Sequence, residues 1–130
     1  MFAPVKRATL LYPSPSANDP HRKHLFILLT DPFPPIDQVL MVSVCTIRDN
    51  RFDKTCILRP GEHDFIEHES YVAYAYSRIE PADKLSNGVK NGYFTDKGLL
   101  DQIIFDRVLH GLTKSQFTKP FAIEALKNSI

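Results

Sequence analysis

Seven of the chain's ten prolines fall between Pro4 and Pro35, and only Pro60, Pro81 and Pro120 follow. Proline locks one backbone dihedral and lacks an amide donor, so these clusters mark loops and strand ends. Residues 8–12 fit a short first strand. Residues 13–23 then form a loop rich in Pro, Ser, Asn and Asp, ending in His21-Arg22-Lys23-His24, the densest basic cluster in the chain. A continuous apolar run at 25–29, closed by Thr30-Asp31-Pro32, reads as a central strand buried on both faces. After a second proline loop at 33–37, the β-branched run 38–47 is another strand. A polar connection at 48–54 leads to a short strand at 55–58, stopped by Pro60-Gly61. Residues 61–70 are loop.

Residues 71–79 alternate. Tyr71, Ala73, Ala75, Ser77 and Ile79 are expected on one face, and Val72, Tyr74, Tyr76 and Arg78 on the other. Five strands with hairpin-type connections point to a small barrel or a tightly curled sheet. The period then changes. From Leu99 the apolar positions Leu99, Leu100, Ile103, Ile104, Val108, Leu109 and Leu112 make a helical stripe, with Gly98 and Gly111 at its ends. A second helix fits 121–128, with Pro120 at its first position, where a missing amide costs nothing. Strands first and helices last give an α+β, mainly β class.

At 130 residues and 14.8 kDa the chain has room for one domain, a barrel over about 7–80 and a helical tail over about 95–130. It is 43% hydrophobic and carries nine Phe and five Tyr, which argues against global disorder. A formal charge of +1 excludes duplex binders that rely on bulk positive charge, while leaving room for RNA binding through a local patch. Two cysteines, Cys45 and Cys56, are too few for a secreted disulfide scaffold, and core packing as reduced thiols is the expectation. No apolar stretch approaches the roughly 20 residues of a membrane span, and no signal-type segment opens the chain. The expected setting is the cytoplasm, with no membrane association.

Four places could carry chemistry. In His21–His24, two imidazoles and two cations ahead of a buried strand could clamp a phosphate and move a proton near neutral pH, although a solvated loop end has the same composition. Its His-x-x-His spacing lacks a completing ligand set nearby, apart from Asp19. Cys45-Thr46-Ile47-Arg48 closes the third strand with a hydroxyl followed by a guanidinium, whose paired donors suit a phosphate; the plainer reading is a strand end with one exposed Arg. The segment Pro60–Tyr71 holds His63 and His68 among four carboxylates, which suits acid–base work or a divalent ion, but a charged loop pinned by Phe65 and Ile66 is favoured. Tyr74 and Tyr76 could stack bases, although strand aromatics more often pack across strands.

Taken in order, these pieces resemble the MazF/PemK family of toxin endoribonucleases. The family has a short strand, a loop ending in a basic residue, and an apolar strand closing on Ser or Thr; here these are 8–12, 13–23 and His24-Leu25-Phe26-Ile27-Leu28-Leu29-Thr30. The next family strand ends in a small residue followed by Thr or Ser, matched by Val42-Ser43-Val44-Cys45-Thr46. A later strand opens with Ser and runs into Arg or Lys followed by Ile, matched by Ser70-Tyr71 through Ser77-Arg78-Ile79, and a terminal helix follows. The likeness covers about 7–112. It departs in having His24-Leu25, with Arg22 two residues back, where the family has Arg-Pro, in having Arg7-Ala8 in place of Gly-Asp, and in its longer, histidine-rich loop at 60–70.

The resemblance implies an SH3-like barrel of about five strands with C-terminal helices, in a homodimer bound by a small antitoxin protein. The implied activity is cleavage of single-stranded RNA by 2′-hydroxyl attack, with no metal and no cofactor. Carried over, His24 stands nearest the basic position that opens the second strand and Thr46 is the strand-end hydroxyl; Arg22 and Arg48 are added for their proximity in sequence. Two rivals stand beside it. One is a non-catalytic barrel that binds a protein or nucleic-acid partner, favoured by His24 replacing Arg. The other is a metal-dependent hydrolase using His21, His24, His63 and His68.

Overall fold

The computed structural model describes residues 2–13 and 23–130. The interior of the loop predicted at 13–23, including Asp19, His21 and Arg22, lies outside them. The described residues form an α+β, mainly β fold: six strands in one antiparallel sheet, with three helices packed on it. The strands are β1 (Ala8–Pro13), β2 (Lys23–Leu28), β3 (Gln38–Thr46), β4 (Ile57–Leu58), β5 (Ser70–Pro81) and β6 (Thr95–Leu99), ordered β4-β5-β3-β2-β1-β6. The helices are α1 (Ala82–Lys90), α2 (Gln102–Lys114) and α3 (Pro120–Asn128).

The near-continuous apolar runs of β2 and β3 are explained by a sheet covered on both faces. Leu25 and Ile27 join Leu40, Val42 and Val44 in one core, which Phe105, Val108 and Leu112 of α2 and Ala122 and Ala125 of α3 close from above. Phe26 and Leu28 point the other way, with Val39 and Met41, into a second core closed by Ala82 and Leu85 of α1. Beyond that second core, the same face over Ser43 and Cys45 lines a cleft.

Three expectations are corrected. The sheet has six strands rather than five, because β6 joins the far side of β1 through backbone pairing, with Leu10 opposite Asp96 and Leu11 opposite Thr95. Helix α1 also went unpredicted. The helical stripe does not begin at Leu99, which lies in β6 and is largely exposed; Leu100 is buried ahead of the helix, and Asp101 starts α2 by accepting from the amides of Ile103 (3.0 Å) and Ile104 (3.3 Å). Nor does Gly111 end that helix. It lies inside α2, where Tyr74 packs against its Cα.

The alternation expected along β5 breaks in its middle. Between the pairs Ser43–Ala73 and Met41–Arg78, β3 advances two residues while β5 advances five. The three surplus residues form a bulge, and an odd offset exchanges the faces of a strand. Before the bulge, Val72 and Tyr74 point into the first core; after it, Ile79 packs there instead. Arg78 is thereby delivered to the cleft side, against the ring of Tyr12.

Candidate active site

A cleft of about 700 Å³ opens on the sheet face across β2, β3 and β5. Three of the four sequence-predicted site residues, His24, Thr46 and Arg48, line it together; the fourth, Arg22, lies outside the described residues. His24 is the second residue of β2, opposite Tyr12, and is half-buried. One residue beyond the Leu25–Val44 pair, the Cys45 sulfur comes within 4.0 Å of His24 Nδ1 and 3.8 Å of Ser43 Oγ. Tyr71 pairs directly with Cys45 from β5. Burial, and then the Cys45 thiol beside it, push the Tyr71 hydroxyl above its ordinary pKa, so it stays a protonated donor at neutral pH. Thr46 is exposed at the end of β3, and Arg48 follows two residues later, also exposed.

The cleft is cationic. Arg48, Arg51, Arg78 and Lys119 line it against one carboxylate, Asp49. Asp49 is already engaged, accepting from the amide of Arg51 at 2.8 Å and from its guanidinium at 3.0 Å. Those bonds hold its carboxyl below the usual range. Such a surface attracts phosphate, and the forked donors of Arg suit paired phosphate oxygens.

From the sequence, Arg78 belongs to the family-like Ser77-Arg78-Ile79 element but not to the candidate site, and the bulge explains why: strict alternation puts it on Tyr74's side of the sheet. In the structure its guanidinium lies 4.6 Å from the Tyr12 ring centroid and 3.4 Å from Glu80 Oε2. Glu80, nearly buried, also accepts from the Tyr12 hydroxyl at 2.7 Å and from Lys84 Nζ at 2.8 Å. Tyr12 in turn stacks on Phe94, with centroids 4.5 Å apart. This network fixes one cation at the cleft edge, which reduces the ordering cost of gripping an anion.

Glu80 also sets a pH dependence. Burial raises its carboxyl, but the bonds from Lys84 and Tyr12 and the charge of Arg78 outweigh burial and hold it below the ordinary value. The folded chain therefore takes up this proton less readily than the unfolded chain. Its stabilising contribution is complete above the ordinary carboxylate range of about pH 4–5 and is lost as pH falls through the lowered folded value. We expect Glu80→Gln to cost about 1–2 kcal/mol at pH 7, and the gap to wild type to be smaller at pH 3, below the ordinary carboxylate range. Urea unfolding at the two pH values checks this, and a gap independent of pH would contradict it.

Other expectations resolve as structure. Tyr74 is completely buried and donates to the Val108 carbonyl at 2.6 Å, so it is core, whereas Tyr76 is 67% exposed and lines the cleft. Of the two cysteines expected in the core, Cys56 is buried and its thiol is pushed up by that burial, but Cys45 stands in the cleft wall. Of the apolar pair expected to pin the 60–70 loop, Ile66 is buried and Phe65 is exposed, with Lys97 over its ring. His63 is a strut. Its Nδ1 accepts from the Phe65 amide at 3.0 Å, so Nε2 is the ring donor, and it lies 3.1 Å from both Thr9 Oγ1 and the Lys97 carbonyl oxygen. Glu62 of the same loop accepts two hydrogen bonds from the Arg107 guanidinium on α2, at 2.8 and 3.0 Å. Among the described residues, no three His, Cys, Asp or Glu side chains group so as to hold a metal ion, and no helix is long and apolar enough to cross a membrane.

Comparison with protein-family models, curated proteins and solved structures gives no match.

Proposed function

We propose that the protein is a toxin-type endoribonuclease of the MazF/PemK kind, cleaving single-stranded RNA without a metal. In this reading the sheet is an SH3-like barrel with β6 as an additional strand. The observation that carries the proposal is the convergence of His24 from one sequence segment with Thr46 and Arg48 from another in one cationic cleft with Arg78. The 2′-hydroxyl of the substrate attacks the adjacent phosphorus; the O2′–P bond forms and the P–O5′ bond breaks, leaving a 2′,3′-cyclic phosphate and a 5′-hydroxyl. His24 takes the proton from the attacking 2′-hydroxyl, since an imidazole changes charge near neutral pH, and the departing O5′ takes a proton from water. Arg48 and Arg78 stabilise the charge that develops on the phosphate oxygens, and the Thr46 hydroxyl orients one of them. Arg22 remains a candidate from the sequence for a further phosphate contact. The same resemblance supports a cytoplasmic homodimer restrained by a small antitoxin.

Purified protein should cleave single-stranded RNA in the presence of EDTA, followed on a denaturing gel. Activity lost in EDTA and restored by a divalent ion would favour a histidine-based metal hydrolase. Binding without cleavage would favour a non-catalytic module, the reading that His24 in place of the family's Arg supports.

A further inference from the structure

We infer that Tyr76 and Phe52 form a stacking ledge for an unpaired base next to the phosphate held in the cleft, an inference that rests on the ribonuclease reading. A second cavity of about 430 Å³ adjoins the first, and the two share Arg51, Phe52, Tyr71, Ala75 and Tyr76. Their linings differ. Arg48, Arg78 and Lys119 line the first alone, whereas the second adds Phe117 to the shared rings of Phe52, Tyr71 and Tyr76, over Ala73 and Ala75, with Asn50 and Asp53 at its wall. The small side chains leave room above the strand. The β5 bulge turns Tyr76 outward while Tyr74 and Ser77 on either side are buried, Ser77 Oγ donating to the Tyr74 carbonyl at 2.6 Å. Phe52 is held in place by the Tyr71 ring, 5.3 Å away, and by Lys54, 5.5 Å from its centroid.

A cationic trough beside an aromatic shelf matches the alternation of phosphate and base along a single strand. Every base has a face to stack, so such a ledge binds without demanding a sequence. A base-paired duplex hides those faces, so the ledge selects unpaired RNA.

The test is equilibrium binding, by fluorescence anisotropy, of a 2′-O-methyl RNA oligonucleotide, which lacks the attacking hydroxyl and stays intact. Tyr76→Ala should weaken binding about tenfold, and Tyr76→Phe should stay within about twofold of wild type. With an oligonucleotide of abasic residues, wild type and Tyr76→Ala should bind alike. The salt dependence should keep its slope in Tyr76→Ala, because no phosphate contact is lost, and become shallower in Arg48→Ala. Equal binding of the base-bearing oligonucleotide by wild type and Tyr76→Ala would overturn the ledge and leave the cleft reading standing. Failure of the wild type to bind any RNA, including a case where it captures only an acidic aromatic peptide, would overturn both. Tyr76 is mostly exposed, so the variant is expected to fold, and its thermal melt verifies that.

Discussion

Replacing His24 by alanine should lower RNA cleavage by about 10²–10⁴-fold, the usual contribution of a positioned proton-transfer group, while the protein keeps its fold. His24 sits half-exposed at the open end of β2, and its backbone pairing with Tyr12 does not depend on its side chain. The core below it begins at Leu25, which is 1% exposed. Substitution outside the core costs little stability, so the melting temperature should move by only a few degrees. Binding of the 2′-O-methyl oligonucleotide should be nearly unchanged, because phosphate affinity comes from the arginines. Single-turnover cleavage and a thermal melt on the same preparation make the test. An unfolded variant would show His24 to be structural, and undiminished cleavage would remove it from the chemistry.

The second large effect is on stability. Gly111→Ala should destabilise the protein by about 1–3 kcal/mol, although alanine is the better helix former by about 1 kcal/mol. A Cβ built on Gly111 would stand 2.0 Å from the Tyr74 hydroxyl oxygen and 2.7 Å from its Cζ. Tyr74 is fully buried between β5 and α2, so its ring cannot swing into solvent. Relief requires moving the ring and breaking its 2.6 Å bond to the Val108 carbonyl. Overpacking typically costs 1–3 kcal/mol, to which the broken buried hydrogen bond adds about 1 kcal/mol. Removing the hydroxyl with Tyr74→Phe takes away the closest overlap, so the double variant should be less destabilised than the sum of the singles. Urea midpoints of the four proteins measure this. Stabilisation by Gly111→Ala would mean that helix propensity outweighs the clash.

The same glycine shows where sequence reading failed. Read as punctuation, Gly111 marked a helix end; its actual role is to let one buried tyrosine approach a helix backbone, which a lone glycine does not disclose. Strands β2 and β3 were legible because sheets covered on both faces need uninterrupted apolar runs. By contrast, β6 is largely exposed and so carries no apolar pattern, and the buried face of α1 is made of Ala82, Leu85 and Gly88, mostly small residues that do not stand out as an apolar stripe. Of the cleft residues, His24, Thr46 and Arg48 were accessible through residue type at strand ends. Arg78 was not, since its placement depends on a bulge that breaks the period-two rule, and the exposure that separates Tyr76 from Tyr74 has the same origin.

The central claim is that residues of this cleft direct a 2′-hydroxyl onto its neighbouring phosphate. The measurement that tests it most directly is the chemistry of the ends left when the protein and single-stranded RNA are incubated in EDTA. The account predicts 2′,3′-cyclic phosphate and 5′-hydroxyl termini, and an intact chain when every 2′-hydroxyl is replaced by hydrogen. Fragments ending in 3′-hydroxyl and 5′-phosphate, or cleavage of the 2′-deoxy chain, would contradict it.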